Sequence, residues 1–227
     1  MRVSPLVVAA MLFVPAVIFG QSGLSDAGLN PIISMPVDRT VDSYQIYSAL
    51  LPFGETADKG WPHRMWAVKD ATLTVVAPDD PCWEEPNSNP AARYSATMNP
   101  HIAVHPPASR LLDFEEILAD FDAHCHERVM LLPGAFTTHA PVRLLSPSEQ
   151  DDFHASRNVS SPAAREYSGS PALFGFSEVY FNRRHTVALV YAANWCGSLC
   201  GQGEWVAFGL EDGRWKDLHW KTYGWVS

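Results

Sequence analysis

The clearest pattern of hydrophobic and polar positions lies in the last quarter of the chain, residues 172–227. Short apolar runs rich in aromatic and β-branched residues alternate there with turn residues, which is typical of antiparallel strands. The predicted strands cover residues 174–181, 186–194, 204–210 and 215–220. Asp212-Gly213 is a two-residue hairpin signal between the last two strands. We therefore predict a four-stranded C-terminal meander.

Three stretches have apolar residues at helical spacing instead. They cover residues 41–51, 111–129 and 146–156. The last of them begins with Ser146 as a helix cap and Pro147 at the first helical position. Helices and strands in this order predict an α+β fold, in which the helices pack on an antiparallel sheet.

The remaining segments complete a single predicted domain over residues 41–227. Residues 64–76 and 139–145 are rich in β-forming residues and are predicted strands. Residues 77–110 hold seven of the eighteen prolines, so we predict a long loop there. Residues 21–40 are mostly small and polar, and we predict an extended lead-in.

The first twenty residues predict export. Arg2 precedes an apolar run over residues 7–19, and a small, polar segment follows at residues 20–23, as in a secretory signal peptide. The run is short for a spanning helix, but an uncleaved N-terminal anchor is the alternative. We expect a periplasmic or extracellular location, with membrane contact only through an uncleaved N-terminus. The formal net charge of −9 argues against a nucleic-acid partner, because phosphate binding needs clustered Lys and Arg.

The four cysteines are interpreted in the oxidising compartment that export implies. Cys196 and Cys200 flank a glycine-rich connection, which favours a disulfide that closes a tight loop. Cys82 and Cys125 are candidates for a second disulfide, which would tie the proline-rich loop to the helix over residues 111–129. The alternative for Cys125 is a free thiol on the apolar face of that helix.

The sequence offers no motif for catalysis or for a bound metal or cofactor. No Gly-x-Ser-x-Gly elbow, His-Glu-x-x-His motif or phosphate-binding glycine loop occurs. His124 and His126 flank Cys125, but on a continuous helix these three side chains diverge, so we expect no metal site. We therefore expect no catalytic residues and no cofactor.

Five of the eight tryptophans lie in the C-terminal region. Trp205 faces the opposite side of its predicted strand from Val206 and Phe208. Packed aromatic residues are commoner than exposed ones, so the first interpretation is a core position. The alternative is an exposed aromatic surface formed by Trp195, Trp205 and Trp215, which would bind a sugar or an apolar ligand.

Several segments of this region resemble a family of uncharacterised exported bacterial proteins. The shared segments are Gly175-Phe176-Ser177-Glu178-Val179-Tyr180-Phe181-Asn182, Ala188-Leu189-Val190-Tyr191, Leu199-Cys200-Gly201-Gln202-Gly203, Asp212-Gly213-Arg214-Trp215 and Trp225-Val226-Ser227. Family members often carry Arg and Gly where Glu178 and Tyr180 stand in this chain. The resemblance implies export and an α+β fold. It implies no activity, because the family has none assigned.

Three function classes follow. The leading one is a non-catalytic envelope or extracellular module that binds a ligand or an envelope protein as a monomer. The second is a hydrolase with a site formed by the loops over residues 77–110 and 196–203. The third is a purely structural envelope protein. Exposed tryptophans would favour the binding module, and a deep polar pocket that holds a His and a carboxylate in contact would favour the hydrolase.

Overall fold

The computed structural model describes residues 32–51, 65–76, 81–82, 99–157 and 166–227. The predicted export segment over residues 1–20 lies outside this part of the chain. Within it, no helix combines the length and the apolar character needed to cross a membrane.

The described residues form four α-helices and twelve strands. The helices are α1 (Val37–Leu50), α2 (Pro100–Ala103), α3 (Leu111–His124) and α4 (Pro147–Ser156). The strands are β1 (Ile32–Ser34), β2 (Trp66–Lys69), β3 (Val104–His105), β4 (Arg128–Met130), β5 (Val142–Leu145), β6 (Leu173–Phe176), β7 (Tyr180–Phe181), β8 (Val187–Gly197), β9 (Cys200–Glu211), β10 (Arg214–Asp217), β11 (Lys221–Thr222) and β12 (Trp225–Val226). Short 3-10 turns cover Ala108–Arg110 and Pro133–Ala135.

The central sheet contains strands of both directions, in the order β10-β9-β8-β6-β2-β5. Strands β8, β9 and β10 pair antiparallel through hairpins, and β6 is antiparallel to β8. Strand β2 is parallel to both β5 and β6. The predicted α+β fold with a C-terminal meander is thus confirmed, but the sheet is mixed and not purely antiparallel. Helices α2 and α3 lie between β2 and β5 in the chain, and α4 lies between β5 and β6. These strands are therefore not consecutive hairpin partners and can run in the same direction.

The predicted strand over residues 174–181 is divided into β6 and β7. At the break, the Ser177 N–H donates to the Tyr191 carbonyl, and the Ser177 hydroxyl accepts from the Tyr191 N–H, both at 2.8 Å. The serine side chain thus takes the place of a backbone acceptor. The strand is interrupted without leaving a buried backbone donor unpaired.

Helices cover both faces of the sheet. On one face, Tyr47 of α1 stacks on Phe176 with ring centroids 5.1 Å apart, in the same apolar cluster as Val206. On the other face, Phe121 of α3 meets Trp205 edge to face at 6.0 Å. Alternate residues of β8 and β9 therefore belong to two different cores.

Two helix boundaries differ from the predictions, and long-range strand pairing accompanies both differences. Helix α1 begins at Val37, inside the predicted lead-in, and β1 precedes it. Helix α3 ends at His124 because the chain leaves it to form β4, which pairs parallel with β1. The predicted loop over residues 77–110 contains α2 and β3. Asn99 caps α2 by accepting the His101 N–H at 3.1 Å.

Candidate functional site

Both predicted cysteine pairs are disulfides in the structure. Cys82 and Cys125 join with Cα atoms 5.9 Å apart, and Cys196 and Cys200 with Cα atoms 5.1 Å apart. The first disulfide connects the proline-rich segment to the end of α3. The second closes the hairpin between β8 and β9. Disulfides are compatible with the expected export.

The tryptophans do not form the aromatic surface described as the alternative above. Trp205 is 1 % exposed and lies beneath α3, between Phe121 and Tyr191. Trp215 is 8 % exposed, and its Nε1 donates to the Asp42 Oδ1 of α1 at 3.0 Å. Helix α3 covers Trp205, and α1 covers most of Trp215.

Trp195 is half-buried at the far end of β8. It packs against the rings of His154, at 4.4 Å between centroids, and of Phe153, at 6.4 Å. Trp195 is thus half-buried, whereas Trp205 and Trp215 are buried. The three side chains therefore do not form one exposed aromatic surface that could bind a sugar or an apolar ligand.

The glycine-rich segment 199–203 pairs with the C-terminal strand β12. Trp225 pairs with Gly203 in β9, and its indole Nε1 donates to the Tyr191 hydroxyl at 2.6 Å. A Cβ at Gly203 would lie 2.6 Å from that Nε1 and closer still to the Tyr191 hydroxyl, so only glycine fits without a shift. A Cβ added at Gly224 would be just as close to the Gly203 carbonyl oxygen.

The two loops proposed for a hydrolase site pair with neighbouring C-terminal strands, one with β11 and the other with β12. Thr222 pairs with Val104 of the proline-rich segment, and Trp225 pairs with Gly203 of the hairpin. The C-terminal segment therefore contacts both loops. The described parts of the loops supply packing and backbone pairing here.

An open groove of about 410 Å³ lies between the end of α1 and strands β9 and β10. Its lining residues are Ala49, Leu50, Glu204, Val206, Phe208, Trp215 and Asp217. The groove therefore combines an apolar and aromatic floor with two carboxylates.

Burial and then the nearby charge of Asp217 raise the pKa of Glu204, while a hydrogen bond with the Thr222 side chain opposes the increase. Asp217 is fixed by the turn that follows β10. Its Oδ1 accepts the His219 N–H at 2.6 Å, and its Oδ2 lies 3.0 Å from the His219 Nδ1. The pair consists of one partly buried acid and one exposed acid.

A second groove of about 400 Å³ lies on the other side of the end of α1, lined by Ser48, Leu51, Trp66, Thr137, Thr138, His139 and Ala140. No acidic side chain lines it. Its hydroxyls serve the fold: the Ser48 hydroxyl accepts the Thr137 N–H at 2.8 Å and donates to the Tyr44 carbonyl at 2.6 Å. This groove therefore offers fewer groups that could bind a positively charged ligand than the first groove does.

Charged side chains also meet in the interior, where Arg39 of α1 bridges Asp120 of α3 and Glu178. The Arg39–Glu178 distance is 3.0 Å, and the Asp120 Oδ2 accepts the Phe181 N–H at 2.8 Å. Glu178 is 2 % exposed, burial raises its pKa, and its Oε2 has no hydrogen-bond partner among the described residues. His124 lies 3.2 Å from Asp120, so a His and a carboxylate are in contact here. The cluster holds three elements together but lies outside both grooves.

The sequence patterns did not single out Glu204, Asp217 or Arg39. One signal for Glu204 was available: strand alternation places it on the same face as Val206 and Phe208, at the edge of an apolar row. Its proximity to Asp217 depends on the β9–β10 register, in which Asp217 pairs with Phe208. No protein-family model, curated protein or solved structure matches this chain.

Proposed function

We propose that the protein is an exported, non-catalytic binding module that holds a positively charged organic ligand in the groove between α1 and strands β9 and β10. The observation that carries this proposal is the position of Glu204. It is a partly buried carboxylate beside a second carboxylate, Asp217, at the edge of an apolar groove.

The electrostatics of the groove favour a cation. The raised pKa of Glu204 means that burial and the charge of Asp217 disfavour its ionised form. A cationic group beside the pair would oppose both effects by stabilising the ionised carboxylates, with about 1–4 kcal/mol of attraction for charges 4 Å apart near a protein surface. The net charge of the chain, −9, would also attract cations over longer distances.

The floor of the groove favours an apolar body on that cation. Leu50, Val206 and Phe208 line it, and the indole of Trp215 lies in the same wall. Its volume of about 410 Å³ is within the range of small-molecule sites, roughly 300–1,000 Å³. An aromatic or aliphatic amine therefore fits both the charge and the lining.

The test compares three probes of one shape: 2-phenylethylammonium, 2-phenylethanol and phenylacetate, each titrated by calorimetry. We expect the ammonium to bind most tightly and the carboxylate least. The affinity for the ammonium should fall with added salt and as Glu204 is protonated at low pH.

Substitutions of the two carboxylates test whether the ammonium binds in this groove. Glu204→Gln together with Asp217→Asn should weaken ammonium binding by about tenfold, the equivalent of about 1.4 kcal/mol. Glu211→Gln is the matched control, because Glu211 ends the same strand, is exposed and pairs with Lys216 outside the groove. Equal binding of the ammonium and the alcohol, or binding unchanged in the double variant, contradicts the proposal.

A further inference from the structure

A second cluster of functional side chains lies at the end of α3, far in sequence from the groove residues. The Sγ atoms of Cys82 and Cys125 and one ring nitrogen of His126 all lie within 4.8 Å of one another. On a continuous helix Cys125 and His126 would diverge. The helix ends at His124, however, and the chain turns there, with the Glu127 N–H donating to the His124 carbonyl at 2.8 Å. The helical argument against convergence thus does not apply beyond His124.

The imidazole of His126 is an independent indication of a ligand. Its Nδ1 is buried and has no hydrogen-bond partner within the described part of the chain. Buried polar atoms are nearly always paired, and an unpaired one costs about 1–3 kcal/mol. An unprotonated ring nitrogen of histidine can bind a metal ion as a ligand.

Contacts other than the disulfide bond also position the two cysteines. Cys125 is 1 % exposed and belongs to the apolar core beneath α3, and Cys82 packs against the same core. The Asn99 side-chain amide donates to the Cys82 carbonyl at 2.7 Å and so anchors its backbone. These contacts would keep both side chains beside His126 when the S–S bond is broken.

We propose that reduction of the Cys82–Cys125 disulfide creates a three-ligand zinc site formed by Cys82, Cys125 and His126. A dithiol reductant breaks the S–S bond by thiol–disulfide exchange, becomes a cyclic disulfide itself and leaves two protein thiols. Zn²⁺ then displaces the two thiol protons and binds two thiolates and the imidazole, with water as the fourth ligand.

The spacing of the cluster suits this geometry. Zn–S bonds of about 2.3 Å and Zn–N bonds of about 2.0 Å in a tetrahedron require ligand atoms roughly 3.5–4 Å apart. The two sulfur atoms would move apart to this spacing once the S–S bond is broken, and a ring nitrogen of His126 already lies within 4.8 Å of both. In the disulfide form neither sulfur is a thiolate, so this site is closed to zinc. Zinc affinity would thus report the redox state of the cysteines.

The experiment uses the full chain with Cys196→Ser and Cys200→Ser, so that a single disulfide remains. The protein is reduced with dithiothreitol, freed of it by gel filtration under argon, and titrated with Zn²⁺ against a chelating dye. We expect one zinc per reduced chain and none at this site in the oxidised chain. Co²⁺ added in place of zinc should give the near-ultraviolet absorption of thiolate-to-metal charge transfer.

His126→Ala should lower the zinc affinity at least tenfold, whereas the matched control His124→Ala should leave it unchanged. Equal affinity in the two variants, or absence of the Co²⁺ absorption, overturns the proposal. If reduction unfolds the chain, Zn²⁺ must restore the near-ultraviolet circular dichroism of the native protein; failure to do so also overturns it.

Discussion

The indole Nε1 of Trp225 donates a 2.6 Å hydrogen bond to the hydroxyl of Tyr191, which joins the C-terminal strand to the interior of the sheet. Burial raises the pKa of Tyr191 to about 12, although the hydrogen bond from Trp225 opposes this increase. The phenol is thus neutral and needs a partner. The third residue from the end of the chain supplies it.

Trp225→Phe is expected to destabilise the protein by about 1–2 kcal/mol, because it leaves the buried Tyr191 hydroxyl without its donor. The midpoint and slope of urea unfolding measure the change. Tyr223→Phe is the control, since Tyr223 is 49 % exposed and its ring contact with His105 survives the loss of the hydroxyl. Equal stabilities of the two variants would show that the hydrogen bond contributes nothing.

Gly203→Ala is expected to cost about 1–3 kcal/mol, the usual penalty for an overpacked interior. The new methyl group would collide with the Trp225 indole and the Tyr191 hydroxyl. Gly134→Ala is the matched control, because a Cβ there would meet nothing within 4 Å. Adding Trp225→Ala should relieve part of the Gly203→Ala penalty, so the two changes should be less than additive.

Arg39→Met is expected to be the most destabilising single change, at about 3–5 kcal/mol, because it leaves the buried Glu178 and the partly buried Asp120 without this counter-charge. Asp120 and Glu178 both pair with Arg39, and neither is well exposed. Chemical unfolding at pH 7 measures the effect. The double variant Arg39→Met, Glu178→Gln should recover part of the stability that Arg39→Met loses. Full additivity would show that the two charges do not interact.

Glu178→Gln tests the pH dependence of the same cluster. Burial raises the pKa of Glu178 above its ordinary value of 4.5, so the folded protein holds this proton over a pH range in which the unfolded chain has lost it. The contribution is therefore fully present below about pH 4.5 and declines as pH rises through the folded-state value. The variant should lack this decline when unfolding is measured from pH 4 to 8. Parallel stability profiles would contradict the assignment.

Glu149→Ala should remove a capping interaction at the start of α4, at a cost of about 1 kcal/mol. The Glu149 Oε2 accepts the Ser146 N–H at 3.0 Å and the Ser146 hydroxyl at 2.8 Å, and Arg143 binds Oε1 at 2.9 Å. The Ser146 backbone and then Arg143 lower the pKa of Glu149 to about 2.

This stabilisation is present above about pH 4.5 and is lost as pH falls towards 2, so the difference between wild type and Glu149→Ala should disappear in acid. Acid titration of stability by circular dichroism measures it. Glu166→Gln removes the other partner of Arg143 and leaves the cap, so it should retain the wild-type acid dependence. A Glu149→Ala difference that persists at pH 2 would contradict the capping role.

The two disulfides should contribute unequally to stability. Cys82 and Cys125 are 43 positions apart in sequence, and Cys196 and Cys200 are 4 apart. Chain-entropy arguments give about 4 kcal/mol for the longer loop and about 2 kcal/mol for the shorter one. Paired Cys→Ser variants, compared by urea unfolding, measure both. A larger cost for the Cys196–Cys200 pair would show that native-state packing outweighs loop entropy.

The predictions that succeeded depend on local chemistry. Helix α4 spans residues 147–156 because Ser146, Pro147 and Glu149 provide its capping and first turn within one short segment. Strands β8, β9 and β10 follow from alternation and from the Asp212-Gly213 turn, which needs no distant partner. The end of α3 was not predictable in this way, because residues 125–129 continue the helical pattern. It is the pairing of β4 with β1, almost 100 residues earlier in the chain, that accompanies the change of direction.

The sequence by itself determined the types of the longer helices and strands, the meander and the candidate cysteine pairs. The tertiary structure decided which distant residues come into contact. Trp205 became core because α3 covers its face of the sheet, and Arg39 meets Glu178 across 139 positions of sequence. Glu204 and Asp217 share a groove only through the register of β9 and β10. Periodicity records which side of an element is apolar, but not which other element will cover it. That choice is made when distant segments bury surface together.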